Sequence, residues 1–102
     1  MRNSLLLFLT LNALLLGSCS KFSRIQKKGS VQEKLEAAFR YFEEEEDYYR
    51  SNTLLEEVYP IIRGQKEAEK ALYYYAMSSF ELNNLQMAAY YFKRFYETYP
   101  RS

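Results

Sequence analysis

The spacing of apolar residues along the chain predicts amphipathic helices. Near the end of the chain, large or small apolar residues recur at steps of three and four positions and form one continuous stripe: Leu85, Ala88, Ala89, Phe92, Phe95, Tyr96 and Tyr99. The segment before it repeats this spacing at Ala71, Leu72, Tyr75, Ala76, Ser79 and Leu82. An earlier helix has its inner face at Leu35, Ala38, Phe39 and Phe42. No segment alternates apolar and polar residues, so the pattern predicts an all-α fold.

Helix-capping residues sharpen these boundaries. Ser30 and Glu33 form an S-x-x-E capping box before the first helix, and Asp47 and Asn84 are suitable N-caps for two later helices. We therefore expect helices over 31–46, 48–62, 66–82 and 85–99.

Glycine and proline residues predict where two of these helices stop. Gly64 can adopt the left-handed conformation that closes the second helix. Pro60 is expected to kink or end that helix near Tyr59, because its ring clashes with the preceding turn. Pro100 is expected to end the fourth helix in the same way.

The chain contains an internal repeat. A shift of 37 positions places Leu35 on Leu72, Asp47 on Asn84 and Tyr59 on Tyr96, so turn residues meet turn residues and apolar residues meet apolar residues. This indicates two helical hairpins, at 31–64 and 65–102. Because one hairpin cannot bury its apolar face alone, such units stack into an α-solenoid.

The first 18 residues have the features of an export signal. Arg2 precedes an apolar run of 13 residues at 4–16, which is too short to span a membrane, and the small residues Gly17 and Ser18 follow it. Cys19 is the only cysteine and comes directly after them. Leu16 to Cys19 resembles the lipobox of bacterial lipoproteins, in which the signal is cut before the cysteine and that cysteine is acylated. The resemblance predicts a lipid anchor at Cys19.

Residues 19–30 are polar and basic and show no helical periodicity, so we expect a tether, with the folded part starting after Gly29. Two interpretations of its cations remain open. In the first, the cations rest on anionic lipid head groups; in the second, they are part of a solvated linker.

Composition argues against several classes of function. The formal net charge is +1, and removal of Arg2 with the signal brings it to zero, which gives no reason to expect a nucleic-acid partner. The chain has no histidine, and acylation would consume its thiol. The five consecutive acids at 43–47 project in different directions around a helix end, so they do not converge on one point. We expect them to be solvated rather than to bind a metal. We predict a protein that is not an enzyme and that has no cofactor or metal site.

Residues 71–102 resemble a tetratricopeptide repeat (TPR), with Ala76 and Ala88 at the closest helix approach and Phe92 at the aromatic position. The first repeat fits less well, because Ser51 replaces the usual alanine. Signal, lipobox, tether and repeats together resemble the N-terminal portion of the BamD family, the lipoprotein subunit of the outer-membrane β-barrel assembly machinery. That family has about five repeats, so we expect a fragment or a truncated gene.

The resemblance implies a non-catalytic scaffold, anchored on the periplasmic side of the outer membrane, that assists insertion of outer membrane proteins. Its implied partners are a BamA-like barrel subunit and unfolded outer membrane protein substrates. Two alternatives remain: a generic TPR scaffold of the envelope, and a SusD-like lipoprotein that captures glycans. The absence of Trp slightly disfavours the glycan-binding alternative.

In a TPR solenoid, the first helix of each hairpin lines a concave groove. That geometry suggests peptide-binding positions on two helices: Arg40 on the first, and Lys70, Tyr73, Met77 and Phe80 on the third. The aromatic and methionine side chains would supply apolar contact area, and the cations would bind carbonyl or carboxylate oxygens. The alternative is that Tyr73, Met77 and Phe80 are covered by a further repeat.

Overall fold

A computed structural model describes residues 20–101 of the chain. This part contains five helices and no strand, and helix α1 is described over residues 20–28. The others are, in chain order, α2 (Val31–Glu43), α3 (Tyr48–Ile62), α4 (Ala68–Glu81) and α5 (Leu85–Thr98). The all-α prediction is confirmed, and the expected signal at 1–18 lies outside the described residues.

The helices pack as two hairpins joined through a central contact. Helix α2 packs against α3 and α4 against α5, while α3 also packs against α4 and α2 touches α4. Helix α4 begins at Ala68, 37 positions after Val31, and α5 begins at Leu85, 37 positions after Tyr48. This spacing equals the shift that aligned the two segments in sequence. Packed helical hairpins of this kind are consistent with a TPR-like fragment.

Several caps form as the sequence predicts. Ser30 Oγ accepts a hydrogen bond of 3.1 Å from the Glu33 amide, and the Ser30 amide donates to Glu33 Oε1. Asp47 Oδ1 accepts from the Arg50 amide at 3.1 Å. Asn84 stands at the N-cap of α5 but makes no capping hydrogen bond with its side chain. Gly64 has φ of 85°, the left-handed conformation expected of it.

The bounds of three helices differ from the prediction, and α5 stops at Thr98 rather than at 99. Helix α2 stops at Glu43 rather than at 46, and α4 covers Ala68–Glu81 rather than 66–82. The turns that follow them contain Glu46 with φ of 51° and Asn83 with φ of 63°. A left-handed residue cannot continue a right-handed helix, so each hairpin turns at that point.

Pro60 does not end its helix near Tyr59, as one of the two expectations had it, because α3 continues to Ile62. Pro60 stands in the last turn of α3, so only two residues of the helix follow the amide hydrogen bond that it removes. Ile62 lies beyond it and is 2 % exposed. Burial of such a side chain contributes about 2 kcal/mol and holds the last turn in place.

The core lies mainly between α2, α3 and α4. It includes the expected residues Leu35, Ala38, Leu72 and Tyr75. The stripe predicted on α5 is only partly covered: Ala88 is buried and Phe92, Phe95 and Tyr99 are half-buried, whereas Leu85, Ala89 and Tyr96 are exposed. Helix α5 packs mainly against α4, and its half-buried residues Tyr91, Phe95 and Tyr99 contact the edge of the core.

The prediction of a tether without helical structure before Gly29 is wrong. Residues 20–28 are helical, and Phe22 and Ile25 pack against the core. The Phe22 ring meets the Tyr41 ring edge-on, with their centroids 5.9 Å apart. Two apolar residues were too few for a clear helical pattern, and the contact with Tyr41 is a tertiary one that sequence periodicity does not report.

Ser51, which departs from the TPR pattern, and its neighbour Asn52 make polar contacts between helices. Ser51 is buried, and its Oγ donates to the Ala38 carbonyl of α2 at 2.8 Å. Asn52 Nδ2 donates to the hydroxyl oxygens of Ser78 and Ser79 on α4, at 2.9 and 3.0 Å. The Asn52 contacts therefore tie one hairpin to the other.

We predict that Asn52→Ala lowers the free energy of unfolding by about 1–2 kcal/mol, because two hydrogen bonds across the hairpin interface are lost. Thr53→Ala is the matched control, since Thr53 Oγ1 donates only to the Tyr49 carbonyl of its own helix. Urea unfolding followed by circular dichroism measures both changes. Equal effects of the two substitutions would show that the Asn52 contacts add nothing to stability.

Candidate functional site

Lys70 lies where α2 and α4 meet. Its Nζ is 2.6 Å from Glu43 Oε2, and it stands 4.6 Å from the Phe39 ring centroid and 5.4 Å from that of Tyr74. About half of the Lys70 side chain remains exposed. The sequence placed Lys70 on a binding face, and the structure adds that its charge is already paired within the chain.

Tyr74 completes this group from the neighbouring turn of α4. Its hydroxyl donates to Glu43 Oε2 at 2.6 Å, and its ring stacks on Phe42 with centroids 3.9 Å apart. Burial, followed by the Glu43 carboxylate, raises the pKa of Tyr74 to about 12. The Lys70 and Tyr74 hydrogen bonds, in that order, lower the pKa of Glu43. Glu43 is thus held as an anion, and it anchors Lys70.

Tyr73 borders a cavity beside this group. The cavity has a volume of about 420 Å³ and is lined by Lys66, Glu69, Lys70, Tyr73 and Phe95. The Tyr73 ring is 41 % exposed, and its centroid lies 5.5 Å from that of Phe95 on α5. The structure therefore brings Lys70 and Tyr73 together at an opening between α4 and α5.

Met77 and Phe80 lie further along α4. They follow Tyr73 by four and seven positions, so they share its face of the helix. Met77 is half-buried and Phe80 is 53 % exposed. These two residues extend the apolar surface towards the end of α4, but they do not line the cavity.

Arg40 and Lys70 have different aromatic neighbours. Its guanidinium carbon is 5.6 Å from the Tyr41 ring, which also receives Phe22 of α1 and Arg50 of α3. Lys70 instead faces Phe39 and Tyr74. Within residues 20–101, the two predicted cations thus have different aromatic partners.

The lining residues Lys66, Glu69 and Phe95 were not predicted as part of the site. Phe95 belonged to the apolar stripe of α5, and its spacing gave no sign that it would face an opening. The charges of Lys66 and Glu69 are ordinary for the start of a helix and gave no signal of their own.

The acidic run at 43–47 divides between separate roles. Glu43 binds Lys70, Asp47 caps α3 and pairs with Arg50, and Glu44 to Glu46 are exposed. In the part of the chain that the structure describes, no three His, Cys, Asp or Glu side chains are grouped as metal ligands would be. Cys19, the predicted site of acylation, lies outside that part.

Several tyrosines at the contacts between helices pack on other aromatic rings. Tyr91 of α5 stacks on Tyr75 of α4 with centroids 4.3 Å apart, and Tyr90 meets Tyr91 edge-on at 5.0 Å. Tyr74 joins α4 to α2 through Phe42. Stacked and edge-on arrangements of this kind add to the stabilisation from burial.

Comparison with protein-family models, with curated proteins and with solved structures found no match. Across residues 20–101, none of the helices combines the length and apolar character needed to cross a bilayer.

We predict that Lys70→Met raises the pKa of Glu43 more than Tyr74→Phe does, because Lys70 is the larger cause of its lowered value. Since that pKa is lowered by folding, the Glu43 interactions stabilise the fold above pH 4.5 and are lost as pH falls through the folded-state pKa. Carboxyl NMR titration of the wild type and both variants measures these values. A larger effect of Tyr74→Phe would contradict this ranking of the two contacts.

Proposed function

We propose that this chain is a non-catalytic, lipid-anchored scaffold that acts as BamD does, assisting the insertion of outer membrane proteins. Its partners would be unfolded outer membrane proteins and a BamA-like barrel subunit. The observation that carries the proposal is the cavity between two stacked helices, bordered by the exposed Tyr73 ring and the cations Lys66 and Lys70. This arrangement suits a side chain of an extended client.

The cavity has the size and chemistry for a peptide side chain. About 420 Å³ is at the lower end of ligand pockets, which span about 300–1,000 Å³. Tyr73 and Phe95 supply apolar ring surface, and a partly exposed ring loses little conformational entropy when a partner covers it. An apolar client residue would therefore be the main source of binding energy here.

The two cations of the cavity have different roles in this proposal. Lys70 is bound to Glu43, so a client carboxylate would have to compete with that anion. Lys66 is exposed and takes part in none of the ion pairs formed within residues 20–101. Lys66 is consequently the better donor to a client carbonyl or carboxylate, while Lys70 holds the cavity wall in position.

The anchor in this proposal adjoins the folded part directly. Ser20, the residue after Cys19, already belongs to α1, and α1 packs on the first hairpin through Phe22 and Ile25. An acyl group on Cys19 would therefore hold the hairpins close to the membrane rather than at the end of a long spacer. Several acyl chains are enough for stable anchoring, since each buried methylene contributes about 0.8 kcal/mol.

We predict that Cys19 carries the lipid. Cells fed an alkyne-bearing palmitate should label the wild-type protein, which should fractionate with the outer membrane. Cys19→Ser should abolish the labelling, because no other cysteine is present to accept an acyl chain. Ser20→Ala changes the neighbouring residue and should label normally. Labelling that survives Cys19→Ser, or a free Cys19 thiol in the wild type, would contradict the anchor.

We predict that Tyr73→Ala lowers crosslinking to an unfolded outer membrane protein about tenfold, as the loss of a central aromatic anchor does. Lys66→Glu should also lower it, by placing a like charge beside client carboxylates. The client is a denatured porin carrying a photoactivatable residue, and the full-length protein is used in native membranes.

Two further variants separate client binding from a general loss of structure. Glu43→Gln keeps every residue that lines the cavity and frees Lys70 from its competing anion, so crosslinking should persist or rise. Lys93→Glu makes the same charge change on the exposed surface of α5 and should also have little effect. Unchanged crosslinking in Tyr73→Ala, or an equal loss in Lys93→Glu, would remove the cavity from the proposal.

A further inference from the structure

The cations of α1 share one face of that helix. Lys21, Arg24, Lys27 and Lys28 are all exposed, and at 100° per residue they fall within an arc of about 120°. Phe22 lies opposite this arc and Ile25 lies at its edge, and both pack against the core. Residues 20–28 contain no acidic residue. The helix thus presents a purely cationic face to solvent, which we name the basic face.

The basic face is not neutralised within the described part of the chain. The ion pairs there join Lys34 to Glu57, Arg50 to Asp47 and Lys70 to Glu43, and none includes a cation of α1.

One acid, Glu33, lies beside the basic face without forming an ion pair with it. Glu33 borders an open cavity of about 460 Å³ together with Arg24 and Lys28. Its carboxylate accepts from the Ser30 amide in the capping box of α2. Four exposed cations outnumber this single carboxylate, so the basic face keeps a net positive charge for an external anion.

Packing fixes the direction in which the basic face points. The Phe22 ring contacts Tyr41, and the Arg50 guanidinium carbon lies 5.5 Å above Phe22. The Gly29 amide donates to the Ile25 carbonyl at 2.9 Å, and a Cβ on Gly29 would lie 2.6 Å from that oxygen. A larger residue there would force the end of α1 to shift. Helix α1 is consequently a fixed part of the first hairpin.

We propose that the basic face docks on an anionic phospholipid surface and so sets the orientation of the hairpins relative to the membrane. This rests on the proposed lipid anchor at Cys19, which places α1 at the bilayer. Residues 20–28 span only about 12 Å, and surface charges are screened over about 8 Å at physiological ionic strength. All four cations lie within that range of the head groups only if α1 lies along the surface.

Charge complementarity favours lipid over other anionic partners. Anionic leaflets attract basic segments close to a membrane anchor, and each cation strengthens the association by about fivefold. A flat row of four cations on one helix face matches a planar array of phosphates. The side chains opposite it are occupied by the core, so α1 does not insert into the acyl region.

The test is lysine labelling of the full-length protein in vesicles. Protein extracted in detergent is reconstituted into phosphatidylcholine vesicles, with or without phosphatidylglycerol, and treated with uncharged deuterated acetic anhydride. Mass spectrometry gives the labelling of Lys21, Lys27 and Lys28 relative to the exposed Lys93 of α5. We expect that ratio to fall about fivefold in the anionic vesicles and to recover at high salt.

A pair of variants with equal charge provides the control. Arg24→Gln with Lys27→Gln removes half of the basic face and should largely restore labelling of Lys21 and Lys28. Arg63→Gln with Arg101→Gln removes two exposed cations elsewhere and should leave them shielded.

Equal labelling ratios in the two kinds of vesicle would overturn the proposal. Shielding that appears in native envelopes but not in protein-free anionic vesicles would also overturn it, in favour of an acidic protein partner. The N-terminal peptide in the same spectra shows whether Cys19 is acylated, so a failure of the anchor is distinguished from a failure of lipid docking.

Discussion

The burial of α3 between its neighbours is the constraint on which the rest of the structure depends. Helix α3 packs against both α2 and α4, so it belongs to the first hairpin and also joins that hairpin to the second. Its residues Leu54, Leu55, Val58 and Ile62 are almost fully buried, and each contributes about 1.5–3 kcal/mol by leaving water. Their sum exceeds the roughly 3 kcal/mol that a proline costs inside a helix, so α3 accommodates Pro60.

Packing on α3 also decides which surfaces are left for partners. Because α3 covers one side of α4, the residues on the other side of α4 meet α2 at Phe39 and Glu43 and α5 at Phe95. Lys70 and Tyr73 therefore stand at the border of three helices. The cavity between α4 and α5 and the partly covered stripe of α5 follow from the same arrangement, since α5 has little contact beyond α4.

Much of the fold could be predicted from local rules. The capping box at Ser30, the N-cap at Asp47 and the left-handed Gly64 depend on hydrogen bonds and backbone preferences within a few residues. The candidate site was only partly predictable. Helical spacing placed Lys70 and Tyr73 on one face of α4, but Phe95 comes from another helix, and no local pattern indicates which of its sides an opening will meet.

The amino-acid sequence by itself determined the helical period and the turn positions 37 residues apart, because these depend on neighbours along the chain. Only the tertiary structure decided that Glu43 binds Lys70, that Arg40 faces Tyr41 instead, and that residues 20–28 pack on the first hairpin as a helix. Those outcomes depend on residues distant in sequence. Their contact energies add to weak local preferences and exceed them, so periodicity alone does not reveal them.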